Sequence, residues 1–280
     1  MDMKTEEAKS MIEVLPEGCI AKILSHTAPV DSCRLSLVCK GFCSAAKSDT
    51  VWDRFLPSDL ISIISDSPSA SSLFSTSPSK KSLYLTLSDH PIVIENGKKS
   101  FQLEKQSGRK IYMLSARDIS IALGDTPQFW DWPILPESRF REVARLRIVC
   151  WFAFEGTINK HMINAFGFDE IPIELTVGVL GDQITMRING KQVTVGVLGD
   201  QISTKNVWLD PDYDDRERDD EFQGLERPKG RSDGFLEIEM GEFFNSGLED
   251  EVVEMGALEN RGGHSKCGFI LEGIEIRPKN

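Results

Sequence analysis

The sequence lacks the features of a secreted or membrane-spanning protein. No apolar run approaches the ~20 residues that a membrane-spanning helix needs, and the first residues, MDMKTEEAKSMIEVL, lack the charged-then-apolar pattern of a signal peptide. No Asn-X-Ser/Thr sequon occurs anywhere, whereas a secreted glycoprotein would carry one. These absences predict a protein of the cytoplasm or the nucleus.

Cysteine and histidine lack the spacing of a metal site. There is no CxxC among the 6 cysteines, and the 4 histidines are scattered. Zinc bound by Cys33, Cys39 and Cys43 with His26 is an alternative, but reduced thiols in helix cores are far commoner. A disulfide framework is not expected in a reducing compartment. We expect no metal and no cofactor.

A large basic surface is also missing. The net charge is −12, and the segment from Asp210 to Glu259 holds 18 acidic and 5 basic residues, so the remaining chain is almost neutral. Nucleic acids and anionic membranes require clustered Lys and Arg, so neither is an expected partner. The run Asp210–Glu221 could supply oxygen ligands for Ca²⁺, but it lacks the glycine and glutamate offsets of an EF-hand, which favours a solvated loop.

Helical spacing dominates the first part of the chain. Pro16 and Glu17 suit the first turn of a helix, and Ile20, Ile23 and Leu24 then share one face. The short helices expected here make a thin core, which would gain stability from a partner that covers its apolar face. We therefore delimit a helical domain at residues 10–57.

A serine-rich stretch follows. Eleven of the 25 residues from Ser58 to Ser82 are serine, and prolines are interleaved, so composition predicts a mobile linker over residues 58–80. The next segment, Lys81–Leu87, is compatible with either a helix or a strand.

The rest of the chain, residues 81–280, has the two-residue period of β-strands. LEIEM and GIEIRP alternate apolar and polar residues, as half-buried strands do. The run LRIVCWFAFEG is apolar on both faces, which predicts one central strand. Frequent turn signals, such as Asn96-Gly97 and Gly262-Gly263, favour an antiparallel sandwich.

One nonapeptide occurs twice. TVGVLGDQI stands at Thr176–Ile184 and again at Thr194–Ile202, and ITMRI-NG-KQVTV joins the copies. Asn-Gly between β-prone arms predicts a hairpin, while two copies are too few for a solenoid. The Gly-x-x-Gly of each copy lacks the further residues of a phosphate-binding loop.

The helical domain resembles an F-box. The segment LPEGCIAKILSHTAPVDSCRLSLVCKGFCSAAKSDTVWDRFLP carries that family's pattern in order. The resemblance implies docking onto a Skp-type linker protein and, through it, a cullin. Apolar anchors would form or support the docking surface. They are Leu15, Pro16, Ile20, Ile23, Leu24, Pro29, Leu37 and Val38.

The second domain resembles the plant phloem protein 2 lectins, which are related to the tobacco lectin Nictaba. Its landmarks are GRKIYMLSARDISIALGDTPQFWDW, SRFREVARLRIVCWFAFEG, VWLDP, GFLEIEMGEFF and GFILEGIEIRPKN. The resemblance implies a jelly-roll-like sandwich that binds glycans containing N-acetylglucosamine or mannose. The expected fold class is therefore α+β, with a small all-α F-box followed by an all-β antiparallel sandwich.

Three departures bear on the implied glycan site. Ala122 stands where related sequences often have Trp, the nonapeptide is duplicated, and His264-Ser265 replaces an expected Trp. Sugars stack on aromatic faces and need fixed polar groups. The residues that remain for a site are Trp130, Trp132, Glu242 and Glu249, although the two Trp could equally be core and the two Glu solvated.

No enzyme activity is expected. Glu237, Glu239 and Glu242 could supply paired carboxylates for glycoside hydrolysis, but strand alternation explains the first two, and no nucleophile elbow is visible. The sequence thus predicts a non-catalytic adaptor that recruits a target for ubiquitination. The alternative is a glycan-binding lectin, whose ligands could lie on glycoprotein targets.

Overall fold

The computed structural model describes most of the chain. The described residues are 15–155, 173–188, 191–207, 209, 225–231, 234–241, 253–259 and 265–278. Two compact units divide the chain. Unit 1 comprises Met1–Asn96, Phe101–Ile111 and Arg277–Asn280, and unit 2 comprises Gly97–Ser100 and Tyr112–Ile276.

Helices come first along the chain and all belong to unit 1. They are α1 (Glu17–Leu24), α2 (Pro29–Leu35), α3 (Lys40–Ala45), α4 (Asp49–Phe55), α5 (Leu60–Ile64), α6 (Ala70–Thr76) and α7 (Lys80–Asp89). Within the described ranges, none is long and apolar enough to cross a membrane. The open alternative for Lys81–Leu87 is thereby decided, because this segment lies in α7.

The expected linker contains helices. Residues 58–80 include α5 and α6, and these helices bury Leu60, Ile64 and Leu73. Serine composition predicted a loop, but three apolar side chains at suitable positions bury enough surface to order the segment. This segment therefore belongs to unit 1, and its helices differ from the mobile linker that we expected.

Strands follow the helices. They are β1 (Ile92–Ile94), β2 (Lys99–Leu103), β3 (Lys110–Ser115), β4 (Ser120–Ile121), β5 (Trp130–Asp131), β6 (Ala144–Leu146), β7 (Phe152–Glu155), β8 (Ile173–Ile188), β9 (Lys191–Val207), β10 (Lys229–Gly230), β11 (Leu236–Glu237), β12 (Val253–Glu259), β13 (Ile270–Leu271) and β14 (Gly273–Ile276). Helices followed by antiparallel sheets confirm the predicted α+β class.

Unit 2 is built from antiparallel sheets. A five-stranded sheet has the order β4-β7-β12-β8-β9, and a three-stranded sheet has the order β13-β6-β5. A further pair joins Tyr112–Ser115 of β3 to β14. Both sheets contribute to one core, in which Trp130 and Leu146 of the smaller sheet join Phe154 and Met255 of the larger one.

The predicted central strand LRIVCWFAFEG is two strands. Its first residue, Leu146, is the last residue of β6 in the three-stranded sheet, and Phe152–Glu155 form β7 in the five-stranded sheet. Between them Val149 bridges to Lys266, while Ile148 and Trp151 are exposed. A strand that changes sheets in this way forms a corner of the sandwich.

Candidate functional site

Helix α1 separates buried from exposed apolar residues. It begins after Pro16, and Glu17 lies in its first turn, where the helix dipole favours a carboxylate. The Glu17 carboxylate also accepts a hydrogen bond from Ser44 Oγ at 2.8 Å, which ties α1 to α3. Ile20 and Leu24 face the core, whereas Ile23 is 50% exposed.

The turn after α2 carries the most exposed apolar residues of the helical domain. Pro29 occupies the first turn of α2 and is buried. At the other end of the helix, Leu37 is 86% and Val38 is 67% exposed. Two adjacent large apolar side chains in solvent are a feature of interaction surfaces.

The eight predicted docking residues therefore divide into two groups. The exposed group is Leu15, Pro16, Ile23, Leu37 and Val38. The buried group is Ile20, Leu24 and Pro29, which support the helices from within.

Trp52 of α4 lies in the core of the helical unit. Its side chain is fully buried, and its Nε1 donates a hydrogen bond to the Ala46 carbonyl at 2.7 Å. The ring centroids of Phe55 and Tyr84 lie 5.5 and 5.2 Å from that of Trp52. Lys81 Nζ lies 5.1 Å from the same ring, at the distance of a cation–π contact.

Tyr84 of α7 links the helices to a loop between β2 and β3. Its hydroxyl donates a hydrogen bond to the Glu104 carbonyl at 3.0 Å, and burial raises the pKa of Tyr84 to about 12. Val30 N in α2 donates to the Gln106 carbonyl at 3.3 Å. Sequence reasoning missed this support, since the segment containing Tyr84 was undecided between helix and strand.

In unit 2, Trp130 lies in the core and not at a surface where it could contact a glycan. It is 1% exposed and belongs to the core, and its Nε1 donates to the Ala122 carbonyl at 3.2 Å. A ring buried on both faces offers no surface for sugar stacking. The structure thus moves Trp130 out of the candidate site and into the alternative core position.

Trp132 is partly buried and already covered. It packs against the core, and the Arg117 guanidinium lies 3.6 Å from its ring centroid. Arg117 is held there by an ion pair with Glu142 at 2.9 Å. Arg117 is a residue that the sequence did not single out, and it occupies the space that a stacked sugar would need.

Between Trp130 and Trp132 in the sequence, Asp131 forms an ion pair with Arg145. Arg145 Nε donates to Asp131 Oδ1 at 2.9 Å. This hydrogen bond, together with the charges of Arg145 and Arg147, lowers the pKa of Asp131. Asp131 therefore stays ionised and forms ion pairs with the two arginines.

The other two predicted glycan residues, Glu242 and Glu249, lie outside the described residues, as does the run Asp210–Glu221. Among the described residues, no group of three His, Cys, Asp or Glu side chains could hold a metal ion. The alternative zinc site of His26 with the three neighbouring cysteines is thus not formed.

Two family models match the chain. The F-box-like model matches residues 12–58, and the phloem protein 2 model matches residues 109–278. These matches cover the helical surface and most of unit 2.

Curated relatives match over nearly the full length. F-box protein PP2-B10 of Arabidopsis thaliana is 38% identical, and the alignment covers 98% of this chain and 97% of the relative. F-box protein PP2-B1 of the same plant is 36% identical over 96% of this chain and 90% of the relative. F-box protein SKIP3, also from Arabidopsis thaliana, is 35% identical over 96% and 89%.

One solved structure, TmCBM61 in complex with β-1,4-galactotriose, aligns with 59% of this chain and 91% of its own. Its identity of 12% and TM-score of 0.20 do not indicate a shared fold. Full-length similarity to the Arabidopsis proteins and the two model matches settle the family instead: the chain belongs to the F-box proteins that carry a phloem protein 2 domain.

Proposed function

We propose that the chain is the substrate-recognition adaptor of a Skp-cullin-F-box ubiquitin ligase. The F-box would bind a Skp-type linker and, through it, a cullin, while unit 2 would bind a target protein. Ubiquitin transfer would be carried out by a separate enzyme, and the adaptor would contribute proximity, because holding two reactants in one assembly raises their effective concentration.

The observation that carries this proposal is the exposure of Leu15, Ile23, Leu37 and Val38 within the segment that matches the F-box-like model. Fully burying a large apolar side chain is worth about 1.5–3 kcal/mol. Several such side chains in solvent favour association with a partner that covers them, and a linker groove lined by apolar residues would do so.

The decisive experiment combines Leu37→Asp and Val38→Asp in the full chain. We expect at least a tenfold loss of co-purification with a recombinant Skp-type linker, because two charges would be buried at the contact. Leu15→Ala with Pro16→Ala should weaken binding as well. Circular dichroism should be unchanged, since Leu37 and Val38 are exposed.

Ile61→Asp is the matched control. Ile61 is 74% exposed in the same unit, but it lies outside the residues that match the F-box-like model. Its binding should equal that of the wild type. Retained binding by the double Asp variant, or equal loss in the control, would contradict the docking surface.

Glycan recognition is the second candidate function, and the match to the phloem protein 2 model is what favours it. In that case Trp132, with Glu242 and Glu249, would contact the sugar. The Arg117 guanidinium over Trp132 counts against strong binding, so we place protein recognition first.

A further inference from the structure

The two copies of the nonapeptide pair with each other. β8 contains the first copy and β9 the second, and the strands run antiparallel from Ile173↔Val207 to Ile188↔Lys191. At the centre Leu180 lies opposite Leu198, and these two leucines occupy the same position in the two copies. The two copies of TVGVLGDQI therefore pair antiparallel with each other, and the register shifts on both sides of the leucine pair, between Gly178 and Leu180 and between Leu180 and Gln183.

The hairpin predicted around Asn189-Gly190 is confirmed by this register, although the turn itself lies outside the described residues. β12 pairs with β8 only from Glu174 to Val179. Beyond Val179, the described residues offer β8 no strand partner other than β9.

β9 forms one edge of its sheet. In the order β4-β7-β12-β8-β9 it stands last. Near its end, Val207 bridges to Glu226 and Lys205 pairs with the same glutamate at 2.6 Å. Over Lys191–Thr204, the described part of the chain provides no strand beyond β9. An edge strand of this kind carries unpaired N–H and C=O groups that favour pairing with another strand.

The edge has little protection from proline or charge, and the irregularity between Leu198 and Ile202, where the register with β8 shifts, is the one blocking feature that the described residues show. No proline occurs between Ile173 and Val207, and Asp200 is the only charged residue of β9 between Gln192 and Thr204. Natural edges are commonly blocked by proline or by several charges. Among the described residues, the second nonapeptide copy thus lies on the last strand of its sheet.

We propose that this edge binds a second copy of the chain. The two β9 strands would pair antiparallel across a two-fold axis, with Leu198 of one chain opposite Leu198 of the other. At this one position the contact would repeat the pair that Leu180 and Leu198 form within the chain, without the register shifts that flank that pair. A two-fold contact is self-complementary by symmetry, so an identical strand satisfies both sides at once.

Charge is compatible with this register. In a regular register centred on Leu198, Asp200 would lie opposite Gly196 of the second copy, so the two aspartates would not face each other. Like charges directly opposite on paired strands are destabilising, and this register avoids them within the nonapeptide. The strand-addition mode would derive its affinity from main-chain hydrogen bonds.

Cross-linking and sedimentation test the proposal in the full chain. Opposed residues of antiparallel strands have Cα atoms about 4.5–5.5 Å apart, which suits a disulfide. Leu198→Cys should therefore form a covalent dimer under mild oxidation. Leu180→Cys is the matched control, because Leu180 is one strand removed from the proposed contact. Wild-type chain on the same non-reducing gel measures any product of the native cysteines.

Sedimentation of the wild type should show a concentration-dependent species of twice the 31.3 kDa chain mass. Deleting Val177–Thr194 should give a folded monomer. That deletion keeps the cross-strand residue pairs from Ile173↔Val207 to Thr176↔Thr204. Gly196 then takes the position of Gly178 opposite Ile202. The single remaining nonapeptide would begin next to β12 and end at Ile202 on the edge strand, so no complete copy would lie along the edge.

The proposal is overturned if the wild type remains monomeric at all concentrations, or if Leu180→Cys and Leu198→Cys cross-link equally. It is also overturned if the deletion variant stays folded by circular dichroism and still dimerises. Binding to a Skp-type linker is expected to be unaffected by each of these changes, so the result is independent of the proposed ligase function.

Discussion

At the scale of single residues, two buried serines of the helical unit differ in hydrogen bonding. Ser32 in α2 is buried, and within the described residues its hydroxyl has no hydrogen-bond partner. Ser88 in α7 is also buried, but its hydroxyl donates to the Tyr84 carbonyl at 2.8 Å. Because a buried hydroxyl without a partner costs free energy, the two serines should respond oppositely to alanine.

We expect Ser32→Ala to be neutral or to raise the free energy of unfolding by up to about 1 kcal/mol, since the desolvated hydroxyl is removed. Ser88→Ala should lower it by about 1 kcal/mol, because it deletes a hydrogen bond. Chemical denaturation of the two variants beside the wild type measures both effects. Equal destabilisation would mean that Ser32 has a partner that compensates its burial.

The aromatic residues of unit 2 lead to a prediction about glycans. Ala122 stands where the resemblance to phloem protein 2 lectins implies a Trp, Trp130 is buried and Arg117 covers Trp132. A stacking contact is worth about 1 kcal/mol beyond its buried area, and 1.4 kcal/mol is a tenfold change in affinity. Wild-type chain should therefore bind chitin oligomers and N-glycan cores weakly, with Kd in the millimolar range or above.

A glycan array followed by titration tests this expectation. Arg117→Ala should free one face of Trp132 and Ala122→Trp should add a ring, so each should strengthen binding if the site lies there. Tight wild-type binding would instead make the glycan the recognition signal.

At the scale of helices and strands, the elements that could be predicted from the sequence are those in which apolar residues recur with a clear period. The F-box helices and the Asn-Gly hairpin followed from local spacing, which the structure keeps. The high serine content led us to predict a linker where α5 and α6 lie. These helices bury Leu60, Ile64 and Leu73, and composition alone does not show which residues are buried by tertiary contacts. The division of LRIVCWFAFEG between two sheets likewise depends on β5 and β12, which are distant in sequence.

The candidate sites were predictable to a smaller extent. The resemblance to an F-box implied a set of docking residues but did not separate the exposed Leu37 from the buried Leu24. The sequence left Trp130 and Trp132 open between core residues and sugar platforms, and only three-dimensional packing distinguishes these roles. Arg117 had no sequence signal, because its role depends on the position of Trp132 and Glu142.

Strand β14 contains a glycine that the sheet requires. A Cβ atom on Gly273 would lie 2.0 Å from the Leu114 carbonyl oxygen of β3, where the two strands pair through Gly273↔Ser115. Contact with backbone at that distance cannot be relieved by a side-chain rotation. The pairing of β3 with β14 therefore depends on the absence of a side chain at this position.

We expect Gly273→Ala to lower the free energy of unfolding by about 2 kcal/mol or more, as overpacking commonly does. Gly230→Ala in β10 is the matched control, since a Cβ there meets nothing within 4 Å. Thermal melts of both variants provide the comparison. A Gly273→Ala melting temperature equal to the control would show that β3 and β14 separate without cost.

At the scale of the whole molecule, the helical unit extends beyond the F-box. Trp52 packs on Tyr84, and Tyr84 bonds to the Glu104 carbonyl, so residues up to 111 complete the core around the F-box. A fragment that ends at residue 57 would lose these contacts and expose the Trp52 ring.

Tryptophan fluorescence tests this extension, because Trp52 is the only tryptophan in residues 1–111. We expect fragment 1–111 to show the blue-shifted emission of a buried indole and fragment 1–57 to show the red-shifted emission of a hydrated one. Tyr84→Ala in fragment 1–111 should shift emission toward the red. Blue-shifted emission from fragment 1–57 would mean that the F-box is self-sufficient, as the sequence boundary at residue 57 implies.

The pairing of Ser115 with Gly273 has a consequence for synthesis on the ribosome. All residues between these two positions must be translated before β3 meets β14, which at about 5–20 residues per second takes on the order of ten seconds or more. Throughout that interval the helical unit has already emerged, whereas the Tyr112–Ser115 edge is without its strand. The nascent chain is therefore exposed to chaperones and to wrong pairing for much longer at its sheets than at its helices.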